Sequence, residues 1–247
     1  MNTIKQISSY EKSFYNSKPC VSTKEEFDNM LAYLRPNIEM LRKHGILGKS
    51  FKLLDIGCGN GLFSLALKTI DPTLAVTGVD ISENNVECAI ENSSKFGADG
   101  SFIVSNIFEC KEIGKYDVIF CHGFLHHVHK DIKVVVEIIH NLLEERGYFF
   151  SIEPNPYSLY QFLAFGIGLF INEYLPNKFT KGMFTVNERP ISYKKIIYKE
   201  YFELVGYDIG NLDYATGFKK YFVIHHMLPK KFKGNSQILL LRKKAVT

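Results

Sequence analysis

LLDIGCGNG, residues 53–61, predicts the end of a buried strand followed by a tight turn. The run before Asp55 is apolar, and three glycines within five residues let the backbone turn sharply and approach a ligand without interfering Cβ atoms. Residues 78–82, GVDIS, predict the end of the next strand, with Asp80 as its acid. An acid at that position can accept hydrogen bonds from both hydroxyls of a ribose. The two stretches therefore predict a nucleoside-binding site in an α/β fold.

The spacing of the glycines argues against a dinucleotide site. The dinucleotide fingerprint has its third glycine three residues after the second, and its helix N-terminus faces a pyrophosphate. Leu62 occupies that third position here, and the glycines instead run G-x-G-x-G. The turn is therefore a variant of the nucleotide-binding pattern and not the dinucleotide fingerprint.

The composition is that of a folded globular protein. Apolar residues make up 46% and charged residues 23% of the 247 residues, which excludes disordered, collagen-like and coiled-coil classes. The N-terminus lacks the apolar segment of a signal peptide, and the five cysteines form no C-x-x-C pair, so we expect reduced thiols and a cytoplasmic protein. The net charge is −5 over residues 1–177 and +9 over residues 178–247, which leaves open an anionic partner or a lysine-rich surface.

Strand and helix patterns alternate through the middle of the chain. Strands are predicted near 51–56, 74–79, 101–104, 116–121 and 148–152, with helices at 61–70, 83–96 and 131–145. This alternation predicts a parallel sheet with helices on both faces and a ligand beyond the carboxyl ends of the strands. A helix at 193–204 and strands near 207–214 and 237–241 are predicted to follow.

The N-terminal part is predicted to be helical. Thr23 and Glu26 form a capping box that begins a helix at Lys24, and Pro36 is expected to kink or restart this helix before His44. We predict one domain with four parts: an N-terminal helical lid at 1–50, a cofactor-binding core at 51–153, a substrate-covering insert at 154–190, and a C-terminal helix and strands at 191–247.

The glycine turn, with an acid two residues before its first glycine, resembles motif I of the class I S-adenosylmethionine-dependent methyltransferases. The resemblance covers residues 51–152 by motif and the C-terminus by pattern only. It implies a Rossmann-like, seven-stranded sheet that is mostly parallel, with the last strand antiparallel. It also implies S-adenosylmethionine as the cofactor and S-adenosylhomocysteine as the product.

The resemblance implies roles for the residues around the turn. Asp55 would hold the ammonium group of the cofactor's amino-acid end with residues 57–61, and Asp80 would hold the ribose. Asn106 would contact the adenine amine, with Ile81 or Ile107 packed on the base. The predicted cofactor-binding residues are Asp55, Gly57, Cys58, Gly59, Asn60, Gly61, Asp80, Ile81, Asn106, Ile107 and Cys121.

Four histidines lie within residues 122–129, where the family places groups beside the reactive methyl. His127 is the predicted base or orienting group, because neutral imidazole accepts a proton near physiological pH; a helix-capping role stays open as the alternative. Glu153 is predicted to end the fifth strand facing the same cleft, as a second catalytic candidate. No metal is predicted, because the histidines lack the i, i+4 spacing of a zinc helix, and Gly123 and His126 stand where metal-dependent relatives carry acids.

The predicted function is methyl transfer to an oxygen or nitrogen of a small aromatic or hydrophobic metabolite. The apolar insert is expected to cover this substrate, with peripheral membrane contact through residues 157–181 as an alternative. Two other functions stay open: a cofactor-binding regulatory or scaffolding protein without turnover, and a lipid or RNA methyltransferase that uses the basic C-terminal part. Nucleic acid is not the expected partner, because the asparagine-proline-proline-aromatic motif is missing after the fourth strand.

Overall fold

A computed structural model of the chain describes residues 12–13, 15–16, 22–128, 131–154, 207–215 and 236–244. The described helices and strands alternate along the chain up to Pro154, and two more strands follow. They are α1 (Lys24–Lys43), β1 (Lys52–Ile56), α2 (Leu62–Ile70), β2 (Ala75–Asp80), α3 (Glu83–Phe96), β3 (Ser101–Val104), a 3-10 helix (Ile107–Glu112), β4 (Tyr116–His122), α4 (Ile132–Leu142), β5 (Leu143–Pro154), β6 (Tyr207–Ala215) and β7 (Ser236–Lys243).

The described strands form one sheet in the order β3-β2-β1-β4-β5-β7-β6. Strands β1 to β5 are parallel, and β7 runs antiparallel between β5 and β6. The order of strands reverses between β1 and β4, and ligands of open α/β sheets bind at such a switch point. The predicted fold class, a mostly parallel Rossmann-like sheet with its last strand antiparallel, is confirmed.

Helices α1 and α3 begin at side chains that cap them. At the start of α1 the Thr23 hydroxyl accepts from the Glu26 N–H at 3.1 Å, and the Glu26 carboxylate accepts from the Thr23 N–H at 2.6 Å, so the predicted capping box is confirmed. Helix α1 continues without a restart past Pro36 to Lys43. At the start of α3 the Ser82 hydroxyl accepts from the Asn85 N–H at 3.1 Å.

The end of α4 differs from the prediction. The sequence pattern extends this helix to Glu145, but α4 ends at Leu142 and β5 begins at Leu143. Leu143 is fully buried and pairs with Tyr116 of β4, so its place in the sheet ends the helix early. The prediction used helical periodicity alone, which does not reveal a competing sheet partner.

Two apolar clusters lie on the two faces of the sheet. One contains the inner face of α4, including Val135 and Ile139, which are both fully buried. The other contains α1 and α2, where the ring of Phe63 stacks on Phe120 of β4 with centroids 4.0 Å apart. These clusters fix the strands whose carboxyl ends form the site.

The predicted insert after Pro154 and the helix at 193–204 lie outside the described residues. Cys88 of α3 is disulfide-bonded, while Cys58, Cys110 and Cys121 are free, so the prediction of reduced thiols is wrong for Cys88. Sequence spacing does not reveal which cysteines the fold brings within bonding distance.

Within the described ranges, every helix is too short or too polar to cross a membrane.

Candidate active site

A cavity of about 270 Å³ opens at the carboxyl ends of β1, β2 and β4. Its wall comes from the turns after these strands, the first turn of α3, the 3-10 helix and the N-terminal segment, which is residues 12–13 and 15–16. The described residues that line it are Tyr15, Ile56, Gly57, Gly59, Val79, Asp80, Ile81, Asn85, Ser105, Asn106, Ile107, Phe108, His122, Gly123, Phe124, His127, Val128 and Asp131.

The glycine turn after β1 is tied to β2. The N–H groups of Gly57 and Cys58 both donate to the Val79 carbonyl, at 2.8 and 3.0 Å. Gly57 has a φ of 70°, and a Cβ there would lie 2.6 Å from the ring of Phe124. Gly59 has a φ of 55°, and a Cβ there would meet nothing within 4 Å. The first glycine thus permits close contact with the turn after β4, whereas the second leaves open space beside the cavity.

Asp80 lies in the cavity wall and organises the backbone around it. One carboxylate oxygen accepts from the Gly59 N–H at 2.9 Å. The other accepts from the Ser82 N–H at 2.9 Å and from the Asn85 amide at 3.3 Å. Two lone pairs on each oxygen give four acceptor positions, so these three bonds leave one, on the oxygen that accepts from Gly59, for a ligand hydroxyl. The predicted ribose acid therefore faces the cavity in a fixed orientation.

Asp55 of β1 is almost completely buried, at 1% exposure, and lies behind the cavity wall, which it does not itself line. Neither of its carboxylate oxygens accepts a hydrogen bond within the described part of the chain. Burial raises the pKa of Asp55 from 3.8 to about 7; the nearby Ser64 hydroxyl opposes this shift and the negative charge of Asp80 adds to it. A buried acid of this kind suits a cationic group brought close to it, directly or through water.

Three predicted adenine contacts lie in the cavity wall: Ile81, Asn106 and Ile107. The amide oxygen of Asn106 accepts from the Phe108 N–H at 3.2 Å and so begins the 3-10 helix. Asn106 thus has the local role of a turn asparagine and still faces the cavity. Its predicted contact with the adenine amine stays a prediction.

Four other predicted cofactor residues do not line the cavity: Cys58, Asn60, Gly61 and Cys121. Cys121 is fully buried in an apolar cluster. The side-chain amide of Asn60 donates to the Ser22 hydroxyl at 3.0 Å. Their predicted cofactor contacts are untested, and their visible contacts stabilise the turn and the core.

The turn after β4, residues 123–128, presents His127 to the cavity. Gly123 opens this turn with a φ of 64°, and its N–H donates to the Ile152 carbonyl of β5 at 2.8 Å. The His127 N–H donates to the Phe124 carbonyl at 3.0 Å, which closes a helix-like turn. The Nε2 atom of His127 is 3.2 Å from the hydroxyl oxygen of Tyr15. The predicted base therefore lies in the cavity wall, with a phenol from the N-terminal segment beside it.

Glu153 lies behind this turn, and its predicted position facing the cleft is wrong. It is 3% exposed, and its Oε1 accepts from the Phe124 and Leu125 N–H groups at 3.0 and 2.9 Å. Its Oε2 lies 2.8 Å from Nδ1 of His126. The sequence locates Glu153 at the end of β5 but does not reveal that backbone donors of the neighbouring turn surround its carboxylate. Its predicted catalytic role stays untested.

Sequence reasoning missed several lining residues, among them Asn85 and Asp131, and it placed His122 and Phe124 in the stretch beside the reactive methyl without giving them a role. Asn85 could have been found, because it lies in the helical turn that follows Asp80. The ring of His122 stacks on Phe63 with centroids 5.0 Å apart, and burial lowers the pKa of His122. No sequence signal indicates that stack. In the part of the chain that the structure describes, no three metal-ligating side chains form a cluster.

Comparisons with known proteins identify the family of the chain. The family described as "Methyltransferase domain" matches residues 47–209. A carboxy-S-adenosyl-L-methionine synthase from Campylobacter concisus is 31% identical over 50% of this chain and 55% of its own length. A ubiquinone biosynthesis O-methyltransferase from Rickettsia canadensis is 27% identical over 56% of each chain. The chain thus spans about half the length of these curated relatives.

Solved structures share the fold of the chain. Magnesium protoporphyrin IX methyltransferase from Synechocystis PCC 6803, solved with bound S-adenosylhomocysteine, superimposes with a TM-score of 0.65 at 16% identity. The superposition covers 96% of this chain and all of that one. With the family match over residues 47–209, the chain belongs to the methyltransferase domain family, within the class I S-adenosylmethionine-dependent superfamily.

Proposed function

We propose that the protein is an S-adenosylmethionine-dependent methyltransferase that acts on an oxygen or nitrogen of a small aromatic or hydrophobic metabolite. The observation that carries the proposal is the composition of one cavity. Gly59, Asp80 and Asn106 line it, as do Phe124 and His127. The predicted nucleoside contacts and the predicted acceptor contacts therefore share one space.

The residues around the glycine turn fit the cofactor. Asp80 has one acceptor position left for a ribose hydroxyl, and Ile81 and Ile107 provide apolar surface for the base. The unpartnered, buried carboxylate of Asp55 suits the ammonium group of the amino-acid end. When bound, the cofactor supplies an electrophilic methyl group on a sulfonium, so the protein needs mainly to align the acceptor.

The turn after β4 supplies the groups for the acceptor. His127 would hydrogen-bond the acceptor's hydroxyl or amine and take its proton as the methyl group is transferred. The Tyr15 hydroxyl, 3.2 Å from Nε2 of His127, marks a position where a phenolic oxygen can lie. Phe108, Phe124 and Val128 give this wall an apolar character. Relatives named as ubiquinone biosynthesis O-methyltransferases support an oxygen acceptor.

Calorimetry with S-adenosylmethionine and S-adenosylhomocysteine tests the cofactor site. We expect both to bind the wild type and Asp80→Ala to bind at least about tenfold more weakly, since the ribose hydroxyls lose a charged acceptor. Asp99→Ala, which removes an exposed carboxylate, is the matched control and should bind like the wild type. Absence of binding to the wild type would refute the proposal.

Labelled methyl incorporation into a panel of small phenols, amines and lipid extracts tests the acceptor site. We expect His127→Ala to lower incorporation by about 100-fold or more, the scale of general base catalysis, without weakening cofactor binding. His44→Ala, at the C-terminal end of α1, is the control. Unchanged turnover of His127→Ala would remove His127 from the chemistry and leave the cofactor site intact.

A second candidate function is modification of the cofactor itself. It is favoured by the 31% identity to a protein named carboxy-S-adenosyl-L-methionine synthase. Mass spectrometry of the nucleoside products separates the two functions. S-adenosylhomocysteine is the product of methyl transfer, whereas a carboxylated cofactor would support the second candidate.

A further inference from the structure

We propose that Glu153 is a positioning residue whose buried carboxylate holds the turn that presents Phe124 and His127 to the cavity. The inference rests on the proposed function, because these two side chains would face the methyl acceptor. It replaces the direct acid–base role that the sequence predicts for Glu153.

The first argument is the set of backbone donors around the carboxylate. The turn after β4 is helix-like, since the N–H groups of His127 and Val128 donate to carbonyls three residues before them, at 3.0 and 3.2 Å. The leading N–H groups of such a turn have no partner within it. Glu153 accepts from these leading donors, at 3.0 Å from Phe124 and 2.9 Å from Leu125, with His126 more distant at 3.4 Å. It therefore caps the turn from a neighbouring strand.

The second argument is the contact with His126. A carboxylate only accepts hydrogen bonds, so the 2.8 Å contact places a proton on Nδ1 of His126. The His126 ring is 8% exposed and lies against the His127 ring, with centroids 4.0 Å apart. Glu153 thus fixes one imidazole, and that imidazole supports the ring that lines the cavity.

The third argument is the register of the sheet. β4 and β5 pair up to His122 and Ile152, and the Gly123 N–H still donates to the Ile152 carbonyl at 2.8 Å. Glu153 is the next residue of β5, so its side chain reaches the turn as the chain leaves β4. At 3% exposure the carboxylate meets the turn and has little access to solvent.

Substitutions of Glu153 separate positioning from chemistry. Glu153→Ala removes the acceptor and leaves the N–H groups of Phe124 and Leu125 without a partner. Glu153→Gln keeps one oxygen for these two donors and replaces the other with an NH₂ group. That group can donate to Nδ1 of His126, which moves the imidazole proton to Nε2. The glutamine variant therefore preserves the turn and changes the His126 tautomer.

The first measurement does not depend on methyl transfer. Amide hydrogen exchange at residues 124 and 125 should become at least about tenfold faster in Glu153→Ala, the scale of one lost charged hydrogen bond, and stay near wild type in Glu153→Gln. Nitrogen-15 spectra of labelled histidine should report a protonated Nδ1 on His126 in the wild type and a protonated Nε2 in Glu153→Gln. Glu144→Ala, an exposed glutamate of the same strand, is the control and should change neither. Unchanged exchange in Glu153→Ala would overturn the inference.

The second measurement uses an acceptor found in the incorporation screen. Glu153→Ala should lower kcat by about 100-fold, the loss expected when a catalytic group moves by about 1 Å, with cofactor affinity within about threefold. Glu153→Gln should recover most of that activity. If Glu153→Gln is as inactive as Glu153→Ala while the amides of residues 124 and 125 stay protected, the loss of activity does not come from the position of the turn and the inference is wrong. Should Glu153→Ala fail to fold, Glu153→Asp takes its place, because the shorter side chain withdraws the same acceptor.

Discussion

Asp55 shows how the fold changes the chemistry of a single residue. An aspartate with its ordinary pKa of 3.8 is ionised at neutral pH, yet burial raises the pKa of Asp55 to about 7, although the nearby Ser64 hydroxyl opposes the shift. A carboxyl with a raised folded-state pKa binds more protons in the folded protein than in the unfolded chain between pH 3.8 and about 7. Its contribution to stability is therefore present at low pH and lost as the pH rises through this window.

The Asp55→Asn variant should not lose stability in that window. A pKa shift of this size corresponds to about 4 kcal/mol, of which more than half falls between pH 5 and pH 8. The Tm of ligand-free Asp55→Asn minus the Tm of ligand-free wild type should therefore increase by about 5 to 10 °C from pH 5 to pH 8. Differential scanning calorimetry at several pH values measures it. The exposed control Asp99→Ala should show no such trend, and a constant difference for Asp55→Asn would contradict the burial argument.

Among the elements, the N-terminal segment makes contacts with α3 and with the site that its own sequence does not predict. Asn16 accepts from the Ser82 hydroxyl at 2.6 Å and donates to the Glu83 carboxylate at 2.9 Å, and Lys12 pairs with Glu83. The hydrogen bond from Lys12, which has the larger effect, and the one from Asn16 lower the pKa of Glu83 to about 2. These contacts attach the segment to the start of α3, and Tyr15 in the same segment reaches His127.

The Asn16→Ala variant should loosen this segment without affecting the sheet. Loss of its hydrogen bonds at the start of α3 should speed tryptic cleavage near Lys12 and Lys18 by about tenfold, with the thermal transition of the core nearly unchanged. Limited proteolysis followed by mass spectrometry measures the rate. Asp28→Ala, which removes an exposed pair with Lys24, is the control and should be cleaved like the wild type. Equal cleavage of Asn16→Ala and wild type would mean that other contacts hold the segment.

At the scale of the whole molecule, the site exists because separate parts of the chain meet at one edge of the sheet. β1 lies between β2 and β4, so the glycine turn contacts Asp80 on one side and Phe124 on the other. A ligand in the cavity would touch both sides at once. Its binding should therefore stabilise segments that are distant in sequence.

Hydrogen exchange with added S-adenosylhomocysteine tests this coupling. We expect slower exchange together in residues 57–61, 80–85, 105–108 and 122–128, and no change in β7. Asp80→Ala, at a ligand concentration near the dissociation constant of the wild type, should show much weaker protection in all four segments. Protection confined to one of the four segments would mean that the ligand binds at another position.

Much of the fold follows from local sequence. The glycine turn, the capping box at Thr23 and the strand-helix alternation depend on backbone sterics and side-chain periodicity within a few residues. Local sequence therefore predicted the parallel core and the position of Asp80, whereas the antiparallel last strand was predicted from the family resemblance. The α4 boundary was wrong because Leu143 pairs with Tyr116, a residue that local periodicity does not include.

The sequence by itself determined that this chain forms a nucleoside-type turn with an acid at the end of the next strand. Only the tertiary structure decided which groups surround the acceptor side. Tyr15 contacts His127, from which it is 112 residues distant in the sequence, and Glu153 accepts from the N–H of Phe124, which lies 29 residues before it. The first pairing needs the N-terminal segment bound at α3, and the second needs β4 beside β5. Such contacts depend on strand order and on the desolvation of buried charge, which arise only once the chain has folded.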